Sequence, residues 1–298
     1  MTYSRPDTGS AHAEHALPGV DWRAELEAAR PGTHTLRGLI RQLTLPAPQL
    51  DATRDLYIAL PPGYLTSARR YPVLYMHDGQ NLFDVQTSYA GEWQADETLE
   101  LLGHEGRAAI IAGVANGGTR RIDEYSPFHD QRVGGGAGDA YLAFLVDTVK
   151  PFVDGALRTL PDREHTGILG SSMGGLISLY AFFARPQVFG FAGAMSPSLW
   201  FAGGALERFV GAQPFQPGRL YLDAGTEEMP LSRAERLLLR TSTAQRMQRF
   251  RSMQALLIDK GYTNGQLLTY LEEAGGQHHE AAWARRLPDA LRFLLPQH

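Results

Sequence analysis

The sequence predicts an α/β fold, a mixed and mostly parallel eight-stranded sheet with helices on both faces. Three observations carry this: two runs of alternating apolar and polar residues near the start, six short near-continuous apolar runs after them, and stretches of helical spacing between those runs. Composition allows one globular body, because 43% of the 298 residues are hydrophobic and 20% are charged.

Residues 1–16 are small and polar with no periodicity and are expected to form a disordered N-terminal segment, leaving 17–298 as a single domain. Residues 35–45 and 53–60 alternate β-branched or aliphatic with polar residues, and Pro61-Pro62-Gly63 closes the second run, as in an antiparallel hairpin at a sheet edge. The continuous runs 72–76, 108–114, 166–169, 191–195, 219–222 and 267–271 read as buried parallel strands. Between them Tyr141, Phe144, Leu145, Thr148, Phe152 and Val153 recur at helical spacing, with Asp139 as N-cap and Pro151 kinking or restarting the helix. Residues 176–184 form a second helix, stopped by Pro186, and an amphipathic third runs over 243–260 to Gly261. No repeat of solenoid or propeller length is visible.

The formal charge of −4, with Arg and Lys spread along the chain, argues against a nucleic-acid partner. Cysteine is absent, which excludes disulfides, thiol catalysis and Cys-ligated zinc. Residues 1–19 mix Arg5, Asp7 and Glu14 with two prolines and hold no apolar run, so they read as neither secretory signal nor anchor. No later segment approaches the roughly 20 apolar residues of a spanning helix. A cytoplasmic protein with no membrane partner is expected.

Gly170-Ser171-Ser172-Met173-Gly174 matches G-x-S-x-G between a strand and a helix, the context of a nucleophile elbow, and points to the α/β-hydrolase fold. The nucleophile of such an elbow sits in a tight turn, so neighbours two positions either side must be small. Ser171 competes by adjacency, but only Ser172 has glycine at both positions.

A serine hydroxyl needs a histidine to take its proton and a carboxylate to orient that histidine, and this fold orders them Ser, Asp/Glu, His. Gly275-Gly276-Gln277-His278-His279-Glu280 follows the last expected strand, and spacing alone leaves His278 and His279 open. A metal site is disfavoured, since adjacent residues converge poorly on one ion and no H-E-x-x-H occurs. For the acid, Glu228 lies three residues past Gly225 in the loop after strand 219–222, with Asp223 and Glu227 as rivals. The oxyanion requires two N–H donors. Met173 N–H follows the nucleophile, and Gln80 N–H follows Gly79 in the loop after the first parallel strand. His77 and Asp78 come too early in the chain for the triad and are given structural roles. Gly134-Gly135-Gly136 lacks the Lys-Ser/Thr of a phosphate loop and reads as a flexible connection.

With these segments in hand, the chain resembles the esterase D and enterochelin esterase-like group of putative esterases, within the α/β-hydrolase superfamily. The resemblance spans roughly 36–295. It rests on Tyr75-Met76-His77-Asp78-Gly79-Gln80-Asn81-Leu82-Phe83-Asp84, on Asn116-Gly117-Gly118-Thr119-Arg120-Arg121-Ile122-Asp123-Glu124-Tyr125, on Gly170 to Gly175, on Ser196-Pro197-Ser198-Leu199-Trp200 and on the block from His278 to Leu295. The family's terminal pattern resembles G-x-H-x-E-x-x-W followed by Arg-Leu-Pro, so Trp283 and Arg286-Leu287-Pro288 set the register and imply His278 as the base. The resemblance also implies Glu228 as the acid, although some siderophore-cleaving relatives look like Ser/His dyads. In the related mycolyltransferases the oxyanion donor follows an Asp-Gly pair, which implies Gln80.

The function so implied is a serine carboxylic-ester hydrolase that works through an acyl-enzyme on Ser172, with no cofactor or metal and a small-molecule ester as partner. An acyltransferase on the same triad and a catalytically inactive binding protein are the alternatives. Trp200 is read as an aromatic wall, and Arg120 and Arg121 with Glu124 as a contact for an anionic substrate; core packing of Trp200 and a surface ion pair with Glu124 are the plainer roles. Residues 229–243 are the only sizeable insertion near the acid, which implies an open site. The oligomeric state and the natural ester, whether simple, sugar-linked or siderophore, are not set by the sequence.

Overall fold

The computed structural model describes residues 17–29, 31–228 and 243–297; the segment 1–16 expected to be disordered lies outside these. Strand β1 (Val20–Asp21) precedes helix α1 (Trp22–Ala29). The two alternating runs form β2 (Leu39–Ala47) and β3 (Ala52–Leu60), antiparallel from Leu39 opposite Leu60 to Ala47 opposite Ala52. The six apolar runs become β4 (Val73–Met76), β5 (Ile110–Val114), β8 (Thr166–Ser171), β9 (Phe191–Met195), β10 (Arg219–Gly225) and β11 (Leu268–Glu273), each parallel to its neighbours within that set. The glycine run read as a flexible connection supplies instead β7 (Gly134–Gly135) of a small ribbon with β6 (His129–Asp130), tied down by Gly135 N–H to Asp123 Oδ1 (2.7 Å).

The main sheet has the order β1-β2-β3-β5-β4-β8-β9-β10-β11, nine strands rather than the eight expected. The extra strand is β1, two exposed residues paired on the outer side of β2. It is too short to display a period, so no sequence pattern announces it.

Among the described residues the helices after α1 are α2 (Ala95–His104), α3 (Arg121–Glu124), α4 (Gly138–Phe144), α5 (Lys150–Ala156), α6 (Met173–Ala184), α7 (Ala205–Ala212), α8 (Thr243–Asp259) and α9 (Glu280–Leu294). Successive strand side chains face opposite ways, so each central strand feeds two cores. Val73 and Tyr75 pack with Tyr141, Leu176, Phe182 and Met253 on one face. Leu74 and Met76 pack with Trp22, Leu99, Leu287 and Leu291 on the other. This two-sided burial is why the central strands read as continuous apolar runs.

A π turn over Leu145–Val149 joins α4 to α5 without a break, and Pro151 stands in the first turn of α5, where the wider turn accommodates a residue that cannot donate. Asp139 is not the N-cap expected: Ala137 holds that position, and Asp139 accepts from the Tyr180 hydroxyl (3.0 Å). Among the described residues no helix is long and apolar enough to cross a membrane. Strands β4, β8, β9 and β10 end at Met76, Ser171, Met195 and Gly225, side by side on the carboxyl edge where open α/β sheets bind ligands.

Candidate active site

Ser172 stands between the last residue of β8 and the first of α6 with φ 57° and ψ −119°. Such a backbone is strained for a residue with a side chain, by about 1–3 kcal/mol, and it turns the hydroxyl outward while Ser171 stays buried in the strand. The turn is held by Ser172 N–H donating to Met195 O (3.0 Å) and by Ser172 O accepting from Leu176 and Ser198 N–H, both at 3.0 Å. A Cβ at Gly170 would lie 2.7 Å from His77 Cδ2 and 2.9 Å from the Gly174 carbonyl carbon, so the glycine two positions before Ser172 is required by close approach.

His77 is therefore the floor of the elbow. Its Nδ1 is hydrogen-bonded to the Tyr141 hydroxyl (2.8 Å), and burial pushes the imidazole down to about 3, with Asp78 raising it and Arg121 lowering it further. It stays neutral and structural.

Glu228 follows β10 and is buried. Its Oε1 accepts from Ser196 Oγ (2.5 Å) and Gly225 N–H (2.7 Å), while Oε2 lies 2.5 Å from His278 Nδ1. Burial raises this carboxyl, but the hydrogen bond and charge of His278, with the Ser196 and Gly225 bonds, outweigh it and leave Glu228 below its ordinary value. The rival acids sit elsewhere: Glu227 is exposed, and Asp223 is ion-paired with Arg286 (2.9 Å) and accepts from Ser196 N–H (2.9 Å), while burial pushes it up to about 6. The two histidines also diverge, since His279 caps α9 by accepting from Ala282 N–H (3.4 Å).

Helix α9 locks this arrangement. Trp283 meets the His278 ring edge-on at 5.1 Å and donates from Nε1 to Ser196 Oγ (3.2 Å); Arg286, three residues on along the same helix side, donates to the same oxygen (2.9 Å). Ser196, itself at φ 44°, thus joins the acid, the base's neighbour and the buried Asp223–Arg286 pair.

Gln80 and Met173 carry backbone N–H groups with no acceptor among the described residues. Met173 opens α6, whose positive end adds to its N–H. Gln80 is held by the loop below it: Arg121 grips both Asp78 oxygens (2.7 and 2.8 Å), Asn116 Nδ2 donates to Asp78 (2.7 Å), and Thr87 Oγ1 donates to Gln80 O (2.9 Å). Gly79 lets this loop lie against β5, because a Cβ there would be 2.6 Å from the Gly113 carbonyl.

A cavity of about 890 Å³ brings together Ser172, Met173, Gln80, Glu228, His278 and Trp200. Within it Ser172 Oγ takes Ser198 Oγ as its hydrogen-bond partner (3.2 Å) rather than His278. Hydrogen bonds of this kind often tighten only when substrate is bound. Arg120 is not at the cavity: it donates to Leu50 O (2.9 Å) and lies 3.5 Å from Glu124, so the substrate contact expected of it is corrected. Arg121, the other arginine of that expectation, does line the wall. The Ser196-Pro197-Ser198-Leu199-Trp200 block was singled out in the sequence, but the polar roles of Ser196 and Ser198 were not assigned, because they depend on side chains that converge from distant elements. Residues 229–242, which hold nearly all the insertion read as leaving the site open, lie outside the described residues.

The sequence matches the family described as Putative esterase over residues 47–294. The Bacillus subtilis protein YbbA is 26% identical over 247 residues, 81% of this chain and 92% of its own. The siderophore triacetylfusarinine C esterase of Aspergillus fumigatus is 32% identical over 133 residues, 43% of this chain and 44% of its own. Among solved structures, the siderophore hydrolase EstB from Aspergillus nidulans superposes with a TM-score of 0.65 at 21% identity, covering 86% of this chain and 96% of that one.

Proposed function

The chain belongs to the Putative esterase family and is an esterase, and from that premise we propose that it cleaves carboxylic esters through an acyl-enzyme on Ser172, with His278 as general base and Glu228 as the orienting acid. The observation that carries this reading is the strained Ser172 backbone at the strand-to-helix bend, in one cavity with an imidazole whose Nδ1 is held 2.5 Å from a buried carboxylate. In the proposed sequence Ser172 Oγ leaves its Ser198 contact and attacks the ester carbonyl while His278 Nε2 takes its proton. The negative charge on the carbonyl oxygen is met by the N–H groups of Met173 and Gln80. His278 then protonates the departing alcohol, and water repeats the steps to release the acid.

The test is turnover of an aryl-ester chain-length series, beside feruloyl, acetyl-sugar and siderophore esters, by the enzyme and by Ser172→Ala. Loss of the attacking group lowers kcat by orders of magnitude, on the order of 10⁴-fold or more. Activity above about a tenth of wild type in the variant removes Ser172 from the mechanism.

A further inference from the structure

Arg246, on α8, reaches the same cavity and is only 8% exposed; Trp200, Phe201 and Phe250 also line that cavity. Neither its Nε nor its Nη2 has a hydrogen-bond partner, and no carboxylate among the described residues lies within ion-pair distance of it. The other arginines at the cavity are engaged: Arg121 with Asp78, and Arg132 with both oxygens of Asp130 (3.2 and 3.1 Å). Glu228 attracts the Arg246 charge from a distance, but its two oxygens are already taken by Ser196, Gly225 and His278. Glu280 also lines the cavity, and burial raises its carboxyl above the ordinary value. A guanidinium stays charged even where burial lowers it, and a buried charge without a counter-ion is unfavourable unless a ligand supplies one.

We propose that Arg246 determines specificity by receiving a carboxylate of the substrate, so that the preferred esters carry an anionic group, in the acyl or the alcohol half, while their ester carbonyl lies at Ser172. This rests on the esterase reading above. The planar guanidinium pairs with a carboxylate through two parallel hydrogen bonds, and the aromatic walls strengthen that pair by excluding water.

The test compares kcat/KM for carboxylated and neutral esters of matched length, with wild type, Arg246→Met and Arg246→Lys. For the acyl half the pair is 4-nitrophenyl hemisuccinate and 4-nitrophenyl butyrate; for the alcohol half it is 3-(butyryloxy)benzoate and phenyl butyrate. In at least one pair Arg246→Met should lower the carboxylated-to-neutral ratio about 10- to 100-fold, mostly through KM, and Arg246→Lys should restore part of it. The pair that responds identifies the half that carries the anion. The melting temperature of Arg246→Met should be unchanged or higher, since an unpaired buried charge has been removed. A ratio that stays at the wild-type value in both pairs, or a fall in both activities together with a drop in melting temperature, overturns the assignment. Ser172→Ala retaining more than about a tenth of the wild-type turnover overturns the serine-esterase reading instead.

Discussion

Which nitrogen of His278 carries the proton decides whether it can act as a base. A carboxylate only accepts, so Glu228 Oε2 at 2.5 Å from Nδ1 fixes the proton there and leaves Nε2 as the acceptor nitrogen that the proposed mechanism requires. An amide at that position can donate instead and so favour the wrong tautomer. Glu228→Gln is therefore expected to lower kcat on the order of 10³- to 10⁴-fold with little change in KM. A loss smaller than about tenfold would make the site a Ser/His dyad in which Glu228 only supports the loop. Chain order placed an acid and a histidine after the last strands but left Asp223, Glu227 and His279 open; the Trp283 and Arg286-Leu287-Pro288 register of the resemblance implied His278, and the structure puts that residue against Glu228. The role of Ser196 was not legible, because its importance lies in the three side chains, from β10's loop and α9, that converge on one hydroxyl.

The elbow works as a unit made of β8, Ser172 and α6 with a wedge from β4. Its glycines could be read from the motif, but the atom they make room for could not: His77 lies more than ninety residues earlier and arrives only because β4 and β8 are neighbours, Met76 opposite Leu169. The strand-to-helix grammar was equally legible in β4 and β5, whereas β1 and the β6–β7 ribbon, two residues per strand, are held by pairing that no local pattern encodes. The wedge makes Gly170→Ala informative. Its new Cβ would sit 2.9 Å from the Gly174 carbonyl carbon, which is backbone and cannot rotate away, so α6 must shift. We expect a loss of about 1–3 kcal/mol in urea unfolding and a fall in kcat that exceeds any change in KM. Gly174→Ala, whose Cβ would meet His77 Cβ at 3.2 Å, should be milder on both counts. A Gly170→Ala enzyme as stable and active as wild type would show that the wedge does not position the nucleophile.

The two cores that bury the sheet also bury charge, and this makes folding stability depend on pH with a sign that can be worked out. His77 has an ordinary value of 6.5 and is held near 3 by burial. Between those values the unfolded chain binds a proton that the folded protein refuses, so stability rises with pH across the window. It is fully present above 6.5 and lost progressively as pH falls toward 3. Glu228, held below its ordinary value, acts in the same direction at lower pH. Asp223, raised to about 6, and Asp96, raised to about 9, act in the opposite direction, because each keeps a proton in the folded state that the unfolded chain releases. Only a difference measurement separates His77 from these groups. In His77→Asn the amide can still hydrogen-bond to Tyr141 but cannot titrate, so subtracting its urea-unfolding free energy from that of wild type removes the contributions of Glu228, Asp223 and Asp96. The difference should change by about 2 kcal/mol between about pH 7.5 and pH 5, wild type losing more. The variant starts from lower stability because a ring is missing beneath the elbow, which shifts its curve without altering its slope. If the two curves instead run parallel through this range, the imidazole under Ser172 is not the group that makes the folded protein sensitive to acid.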